Sequence, residues 1–236
     1  MDRRYGKWFL NKVKKAIIDY NMIQNGDSVA VGISGGKDSI ALLFILDLIK
    51  KYSPFDFNIV AVYVDLGLKM DYTPVEYYCK SIDIPFAKVD THIAPLVFNK
   101  RKEKNPCSLC ANMRRGALNN EALRLGCNKI ALGHHADDLI ETLFLNIIFT
   151  SRFATFEPVS FLSKTNLTLI RPLIYIQEKT LESVVKAKKL PVVQNPCPAS
   201  GATKRSDIKQ LLNHMEKIHP RAKPNILAAM KKQGLL

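Results

Sequence analysis

Short apolar runs alternate with longer amphipathic or apolar segments along most of the chain. Runs of strand length lie at Val29–Ile33, Asn58–Val64, Phe86–Val89 and Lys129–Leu132. Such runs are typical of strands buried on both faces of a parallel sheet. Helical patterns separate them, at residues 4–24, Ile40–Ile49, Thr73–Ile82, after Cys110 and from Gly133–Thr142 onward. The alternation predicts an α/β protein that binds ligands beyond the carboxyl ends of its strands.

The hydrophobic periodicity weakens beyond residue 150. We expect an irregular insertion at residues 151–168, followed by a short strand at Leu169–Tyr175 that Pro172 interrupts. Glu178–Lys189 has a helical pattern, and Asp207–His219 predicts a basic C-terminal helix. The last third of the chain therefore predicts fewer regular elements than the first two thirds.

A glycine-rich turn, Ser34–Ser39 (SGGKDS), joins the first predicted strand to a helix. Glycines allow close approach of the backbone to an anion, and successive N–H groups and a helix N-terminus attract phosphate. The Walker A and dinucleotide patterns do not fit, because only three residues separate Gly32 from Gly36 and Asp38 follows Lys37. SGGKDS resembles the PP-loop of the ATP pyrophosphatase superfamily, which implies binding of the pyrophosphate end of ATP. A plain glycine turn is the alternative.

The charge balance of the chain predicts a polyanionic partner. The 236 residues include 35 Lys and Arg against 21 Asp and Glu, a formal net charge of +14. Such an excess favours nucleic acid as a partner, with a generally basic protein as the alternative. No apolar run is long enough to span a membrane, and the N-terminus lacks the apolar core of a secretory signal. Five cysteines beside an ATP loop indicate a reducing compartment, so we expect a cytoplasmic protein.

Three of the five cysteines predict a metal centre. Cys107 and Cys110 are spaced C-x-x-C, which brings two thiolates to one metal ion or cluster. Cys197 lies in a proline-bounded loop, whereas Cys79 and Cys127 fall within helix and strand patterns. Three thiolates without a fourth suit a cubane cluster with one open iron. A zinc site completed by histidine and a free redox dithiol are the alternatives.

Further polar residues follow the predicted strands. Asp65, or its neighbouring backbone, is expected to border the nucleotide, and His134 is expected to orient base or ribose. Asp137 and Asp138 are candidates for metal binding or proton transfer, although either is also a candidate helix cap. Arg114, one turn after the C-x-x-C pair, is a candidate for stabilising negative charge during the reaction.

Five segments in order resemble the tRNA 2-thiocytidine synthetase family, TtcA: SGGKDS, CSLCANMRRGAL, LGHHADDLIETLFLN, LIRPLIY and NPCPAS. The resemblance implies a Rossmann-like (HUP) parallel sheet flanked by helices. It implies an ATP-dependent sulfurtransferase that adenylates a pyrimidine carbonyl and replaces its oxygen with sulfur, forming 2-thiocytidine in the tRNA anticodon loop. It also implies a [4Fe–4S] cluster on Cys107, Cys110 and Cys197, with Mg²⁺ and ATP at Ser34–Ser39. The related TtuA-type thiouridine synthetases carry extra zinc-binding C-x-x-C pairs that this chain lacks.

The resulting prediction has three regions. They are an N-terminal basic helix at 1–27, a PP-loop domain with the iron–sulfur site at 28–200, and a basic helical extension at 201–236. The predicted catalytic residues are Asp38, Arg114, Asp137 and Asp138. The predicted cofactor-binding residues are Ser34, Gly35, Gly36, Lys37, Asp38, Ser39, Asp65, Gly133 and His134, and the metal ligands are Cys107, Cys110 and Cys197.

The predicted partners are tRNA and a sulfur donor, either a cysteine desulfurase or inorganic sulfide, and a homodimer is a further prediction. Arg115 and the basic segments Lys100–Lys104 and Lys204–Lys232 are expected to hold RNA phosphates. A related tRNA 2-thiouridine synthetase is one alternative. A PP-loop ligase or amidotransferase leaves the three cysteines without a role. A non-enzymatic RNA-binding protein with structural zinc leaves SGGKDS unexplained.

Overall fold

The computed structural model describes residues 5–100, 106–194, 196–197 and 203–236. Its centre is a six-stranded sheet in the order β3–β2–β1–β4–β6–β5. The strands are β1 (Ser28–Ile33), β2 (Asn58–Asp65), β3 (Phe86–Asp90), β4 (Lys129–Ala131), β5 (Val159–Leu162) and β6 (Leu167–Ile170). β5 pairs antiparallel with β6, and the other pairings are parallel. The sheet confirms the predicted α/β class.

Helices follow most of the strands. They are α1 (Asn11–Asp19), α2 (Lys37–Tyr52), α3 (Thr73–Ser81), α4 (Pro106–Arg124), α5 (Ala136–Thr150), α6 (Glu178–Lys188), α7 (Lys204–Ile218) and α8 (Ala222–Lys232). Two π-helical segments, Gly6–Leu10 and Pro95–Lys100, precede α1 and α4. Because β1 and β4 each lead directly into a helix, the N-termini of α2 and α5 meet at the same edge of the sheet.

The sheet separates two hydrophobic cores. Val29 and Val31 of β1 contribute to the larger core, and Ala30 between them contributes to the smaller one. This alternation follows from the pleat, which turns successive side chains to opposite faces. Leu118 and Ala122 of α4 cover the smaller core, whereas the other helices pack on the larger core. Burial of β1 on both faces explains why its apolar run is nearly continuous.

The region predicted as an irregular insertion, 151–168, contains β5 and the beginning of β6. β5 is an edge strand whose side chains are only partly buried, so it lacks the apolar run that marks the central strands. The strand predicted at Leu169–Tyr175 is wrong at both ends. β6 ends at Ile170, two residues before Pro172, whose ring nitrogen has no N–H to donate to a ladder.

The N-terminal helix is shorter than the predicted span of residues 4–24, because α1 ends at Asp19. Asn21 adopts a φ of 49°, and this left-handed residue stops the helix before Gly26. Phe9 and Ile17 are fully buried in the larger core. The segment is therefore a packing helix of the domain with a basic outer face.

The C-terminal region contains two helices where the sequence predicted one at Asp207–His219. α7 begins earlier than predicted, because Thr203 caps it through reciprocal hydrogen bonds with Ser206. α8 was not predicted, since Ala222 and Met230 are its only buried apolar residues among those described. No helix in the described ranges has the length and apolar character needed to cross a membrane.

Candidate active site

The phosphate loop at Ser34–Ser39 is wound tightly by its own hydrogen bonds. Gly35 adopts a φ of +79°, and Gly36 caps the N-terminus of α2. The Ser39 hydroxyl donates to the Gly36 carbonyl at 2.9 Å and accepts from the Ser34 N–H at 3.1 Å. This winding leaves N–H groups of the first turn of α2 at the carboxyl edge of the sheet, as an anion site requires.

Gly133 lies at the end of β4 and in direct contact with this loop. A Cβ atom there would lie 2.9 Å from the carbonyl carbon and oxygen of Asp38 and 3.1 Å from the Ser39 nitrogen. Any side chain would therefore force the two strand-to-helix crossovers apart. The sequence predicted Gly133 as a nucleotide-binding residue, and the structure gives it a packing role beside the nucleotide loop.

Asp38 and Asp138 approach one histidine from opposite crossovers. His135 Nε2 lies 3.7 Å from Asp38 Oδ1 and 3.5 Å from Asp138 Oδ2. Asp138 also accepts the His135 N–H at 3.0 Å, which closes a capping box at the start of α5. Asp38 and Asp138 line a cavity of about 250 Å³, together with Ser34, Ser39, Arg114, Gly133 and His134.

His134 lines the same cavity as a neutral side chain. Burial is the main cause that lowers the pKa of His134 to about 4. Its Nδ1 atom is buried and has no hydrogen-bond partner among the described residues. Its ring centroid lies 5.1 Å from that of Phe156, a residue of the segment that precedes β5. His134 therefore meets a ligand in this cavity without adding positive charge.

Asp137 occupies a different environment from Asp138. It lines a polar cavity bordered by α6, α7 and α8. Its Oδ2 atom accepts the Glu178 N–H at 2.7 Å, and its Oδ1 atom pairs with Lys223 Nζ at 3.1 Å. With both oxygens engaged, the buried Asp137 side chain ties α5 to α6 and α8.

Lys37 of the phosphate loop pairs with a glutamate that the sequence did not indicate. Lys37 Nζ lies 2.7 Å from Glu178 Oε1 and 3.1 Å from Asp38 Oδ1, and Lys209 Nζ lies 2.7 Å from the same Glu178 oxygen. Burial acts to lower the pKa of Lys37, but the two carboxylates raise it above its ordinary value. Burial acts to raise the pKa of Glu178, but the two lysines hold it at about 2. Lys37 and Glu178 are therefore both charged at neutral pH.

The C-x-x-C pair lies inside helix α4, not before the helix as the sequence suggested. Cys107 is exposed and Cys110 is half-buried, on the first turns of α4, and Cys197 is also half-buried. Burial is the main cause that raises the pKa of the Cys110 thiol, Arg114 lowers it, and the Cys197 and Cys107 thiols raise it further. The three thiols thus lie close enough to interact electrostatically.

The cysteine region supplies three thiol donors, with Arg114 close to Cys110. Among residues 106–194, 196–197 and the other described ranges, no group of three His, Cys, Asp or Glu side chains is arranged to hold one metal ion. Thiolates are the donors that hold iron–sulfur clusters in proteins, so this donor set fits such a cluster in kind.

A second cleft connects the cysteine side to the phosphate cavity. It is lined mainly by apolar residues that end or follow β1 and β2, and by Pro196, the residue before Cys197. Arg114 lines both this cleft and the phosphate cavity. Asp65 itself is engaged elsewhere, since its carboxylate accepts the Gly67 N–H at 2.8 Å. Its neighbours Val64 and Leu66 line the cleft, and a contact of this strand end with the nucleotide stays a prediction.

The predicted RNA-binding charges fall into three groups. Arg115 is exposed on α4. The segment Lys100–Lys104 lies outside the residues whose side chains are described. In the C-terminal region, Arg205 Nη1 pairs with Asp138 Oδ1 and Glu141 Oε2, each at 3.2 Å, and Lys223 pairs with Asp137. Part of the predicted RNA-binding charge is therefore used inside the protein.

The chain is similar to proteins of known family and structure. Residues 7–215 match the family described as the PP-loop domain. A tRNA-cytidine(32) 2-sulfurtransferase of Pelobacter propionicus is 40% identical over 224 residues, covering 92% of this chain and 82% of the relative. The Geotalea uraniireducens protein of the same name is 36% identical and covers 93% and 89%. The structure of the U34-tRNA thiolase NcsA from Methanococcus maripaludis with its [4Fe-4S] cluster superposes with a TM-score of 0.78 at 25% identity, covering 95% of this chain and 76% of that protein.

Proposed function

The chain belongs to the PP-loop family and, within it, to the tRNA 2-thiocytidine synthetases, and we propose that it forms 2-thiocytidine at position 32 of a tRNA. It is an ATP-dependent tRNA sulfurtransferase, which confirms the predicted family and enzyme class. One observation carries the finer proposal: Arg114 borders both the phosphate cavity and the cleft beside Cys197, so nucleotide and sulfur chemistry share one site.

The first step is adenylation of the base. The phosphate loop, with Ser34, Ser39 and the N–H groups that begin α2, holds the pyrophosphate end of ATP. Lys37 offsets the charge of the phosphates. The cytidine carbonyl oxygen attacks the α-phosphorus, and the bond to the bridging oxygen breaks to release pyrophosphate. The carbon–oxygen bond that was hard to cleave now has AMP as its leaving group.

Asp38 and Asp138 are assigned to Mg²⁺ in this reaction. A hard cation prefers carboxylate, phosphate and water oxygens, and these two side chains line the cavity that receives the phosphates. Asp137 is assigned a structural role instead, because it lines the polar cavity beside α6, α7 and α8 and is absent from the lining of the phosphate cavity. This assignment separates two adjacent residues that the sequence treats alike.

Cys107, Cys110 and Cys197 are assigned as ligands of a [4Fe–4S] cluster. NcsA, the relative of known structure, is described with its [4Fe-4S] cluster. When bound, such a cluster would supply the iron chemistry that activates sulfur for transfer to the adenylated carbon. Arg114, one turn beyond Cys110, stabilises the negative charge that develops as sulfide adds and AMP leaves. His134 contacts the base or ribose as a neutral group.

The remaining predictions concern partners and location. We propose that tRNA binds to Arg115 and the exposed basic side chains. The sulfur comes from a cysteine desulfurase or from inorganic sulfide. A homodimer and a cytoplasmic location belong to the same proposal. Sedimentation of the anaerobic protein, with and without tRNA, tests the oligomeric state.

Product analysis tests the proposed reaction. Anaerobically reconstituted protein is incubated with ATP, Mg²⁺, sulfide and an unmodified tRNA carrying cytidine at position 32, the position in the relatives' names. We expect 2-thiocytidine on mass spectrometry of the digested RNA, and none from a tRNA with uridine at that position. Thiolation of a uridine elsewhere, with cytidine unchanged, would assign the protein to the thiouridine branch.

A further inference from the structure

Glu178 holds two lysines that come from opposite sides of the site. Its Oε1 atom lies 2.7 Å from Lys37 Nζ of the phosphate loop and 2.7 Å from Lys209 Nζ of α7. The side chain is only 13% exposed. Its own N–H donates to Asp137 at 2.7 Å, which fixes the N-terminus of α6. Glu178 is therefore a rigidly placed carboxylate at the base of the phosphate loop.

This contact determines which way the Lys37 ammonium group faces. A lysine ammonium group has three N–H donors and rotates freely on a flexible stem. Glu178 takes one donor, and Asp38 Oδ1 lies within reach of a second at 3.1 Å. A third donor is then left for the phosphates. Without Glu178, the long side chain loses the contact that selects this orientation.

The second lysine explains how a carboxylate is tolerated beside a phosphate site. An uncompensated glutamate would repel ATP, because like charges at short range disfavour each other. Lys209 adds the positive charge that offsets Glu178, and it is 43% exposed at its side chain, so it does so from the solvent side of α7. The C-terminal extension thereby supports the phosphate loop through a single shared oxygen.

We infer that Glu178 is a positioning residue for ATP binding, which holds Lys37 toward the β- and γ-phosphates while Lys209 balances its charge. The inference rests on the proposed function, because it takes Ser34–Ser39 as the site of ATP. Glu178 itself does not touch the nucleotide. Its effect reaches the nucleotide through Lys37 alone.

Because Glu178 acts on the nucleotide through Lys37, the inference predicts a specific pattern of nucleotide affinities. Lys37 acts on phosphates that ATP has and AMP lacks, so loss of its positioning weakens ATP and spares AMP. A purely structural role of Glu178 in anchoring α6 would weaken both nucleotides together. The ratio of ATP to AMP affinity therefore separates the two roles.

The test is calorimetric titration of ATP and AMP, with Mg²⁺, into the full-length parent protein and four variants. In Glu178→Gln we expect ATP affinity to fall roughly tenfold, while AMP affinity is retained. A loss of this size corresponds to one charge-assisted hydrogen bond. Glu178→Asp keeps the charge and should recover part of the loss. Glu182→Gln removes a carboxylate one turn along α6 that lines the same polar cavity, and should bind both nucleotides normally. Lys209→Met should show a smaller ATP-specific effect.

Two results would overturn the inference. One is an unchanged ATP-to-AMP ratio in Glu178→Gln, whether both affinities fall or neither does. The other is an equal ATP-specific loss in Glu182→Gln, which would reflect net charge instead of position. Thiolation assays on the same preparations keep the two proposals apart. If the parent protein thiolates normally but Glu178→Gln leaves the ratio of ATP to AMP affinity unchanged, only the inference about Glu178 is contradicted. If the nucleotide affinities change as expected but no thiolated product forms, only the proposed reaction is contradicted.

Discussion

The phosphate loop and the cysteine region are built in different ways. The loop is a contiguous segment fixed by its own hydrogen bonds and by the backbone contact at Gly133. The cysteine region combines α4 with a separate segment at Cys197, and burial, together with the Cys197 and Cys107 thiols, raises the pKa of the Cys110 thiol. The phosphate loop takes its shape from contacts within the protein, among them the Val193 N–H, which donates to the Gly35 carbonyl at 2.9 Å. Clustered thiolates, in contrast, need a cation or cluster to offset their repulsion. We therefore expect ATP binding to be independent of the cluster, and the cysteine region to depend on it.

The largest expected effect comes from removing a proposed cluster ligand. Cys107→Ala, Cys110→Ala and Cys197→Ala should each abolish thiolation, because the cluster would lose one of three protein ligands. ATP affinity should remain at the parent value, since the loop is held by other contacts. Iron and acid-labile sulfide content, thiolated nucleoside and ATP binding are measured on each variant.

Cys79→Ala and Cys127→Ala are matched controls for these variants, because both residues are buried in the hydrophobic cores. They should retain cluster and activity. If Cys197→Ala loses ATP binding as well as iron, the phosphate loop and the cysteine region form one cooperative unit. That result would contradict the comparison above.

The converse change removes a carboxylate of the phosphate loop. Asp38→Asn should lower the rate of pyrophosphate release by roughly a hundredfold or more, since it removes a proposed Mg²⁺ ligand at the transferred phosphate. Iron content should be unchanged. Single-turnover pyrophosphate release at saturating tRNA is the measurement, and an unchanged rate would remove Asp38 from the reaction.

Asp137 and Asp138, adjacent residues of α5, provide a further test of the comparison. Asp138→Asn should reduce turnover about tenfold to a hundredfold, because it lines the phosphate cavity. Its loss of stability should be the smaller one, because its partner Arg205 is exposed to solvent. Asp137→Asn should instead reduce the free energy of unfolding by about 1–3 kcal/mol, because it leaves the buried Lys223 ammonium less well paired. Chemical denaturation and single-turnover rates are measured on both. Equal effects on turnover would place both carboxylates in the reaction.

The smallest expected effect concerns the RNA surface. tRNA affinity should fall log-linearly with salt, because binding releases counterions from the phosphates. Arg115→Ala, and neutralisation of Lys100, Arg101, Lys102 and Lys104 together, should each make this slope shallower and leave ATP affinity unchanged. Arg114→Ala should keep the salt slope and lose turnover, which makes it the matched control. A parent-like slope in the Arg115 variant would remove that side chain from the interface.

Local features of this site could be predicted from the sequence, and long-range ones could not. SGGKDS contains its glycines, its lysine and its helix start within six residues, so the pattern alone indicates an anion loop. The partner of Lys37 lies 141 residues away, and no local pattern marks it. For the same reason, the sequence could not separate Asp137 from Asp138, since only their distant partners differ.

The same distinction explains the errors in the fold. Central strands such as β1 are buried on both faces and leave a nearly continuous apolar run. β5 is the edge strand of the sheet, and its partly buried side chains give no such signal. α8 packs on the domain through few apolar residues and holds Asp137 through the charged side chain of Lys223, a contact that hydrophobic periodicity cannot register.

The close approach at Gly133 also restricts how the nucleotide enters and leaves. A backbone packed against the Asp38 carbonyl and the Ser39 nitrogen leaves the phosphate loop no room to open as a flap on that side. The loop and the β4–α5 crossover must move as one body. Leu68 and Met70, in the segment that follows β2, line the cleft that shares Ser34 and Arg114 with the phosphate cavity. Side chains rearrange more easily than packed backbone, so we expect nucleotide exchange to depend on the rotamers of Leu68 and Met70 and not on movement of the phosphate loop.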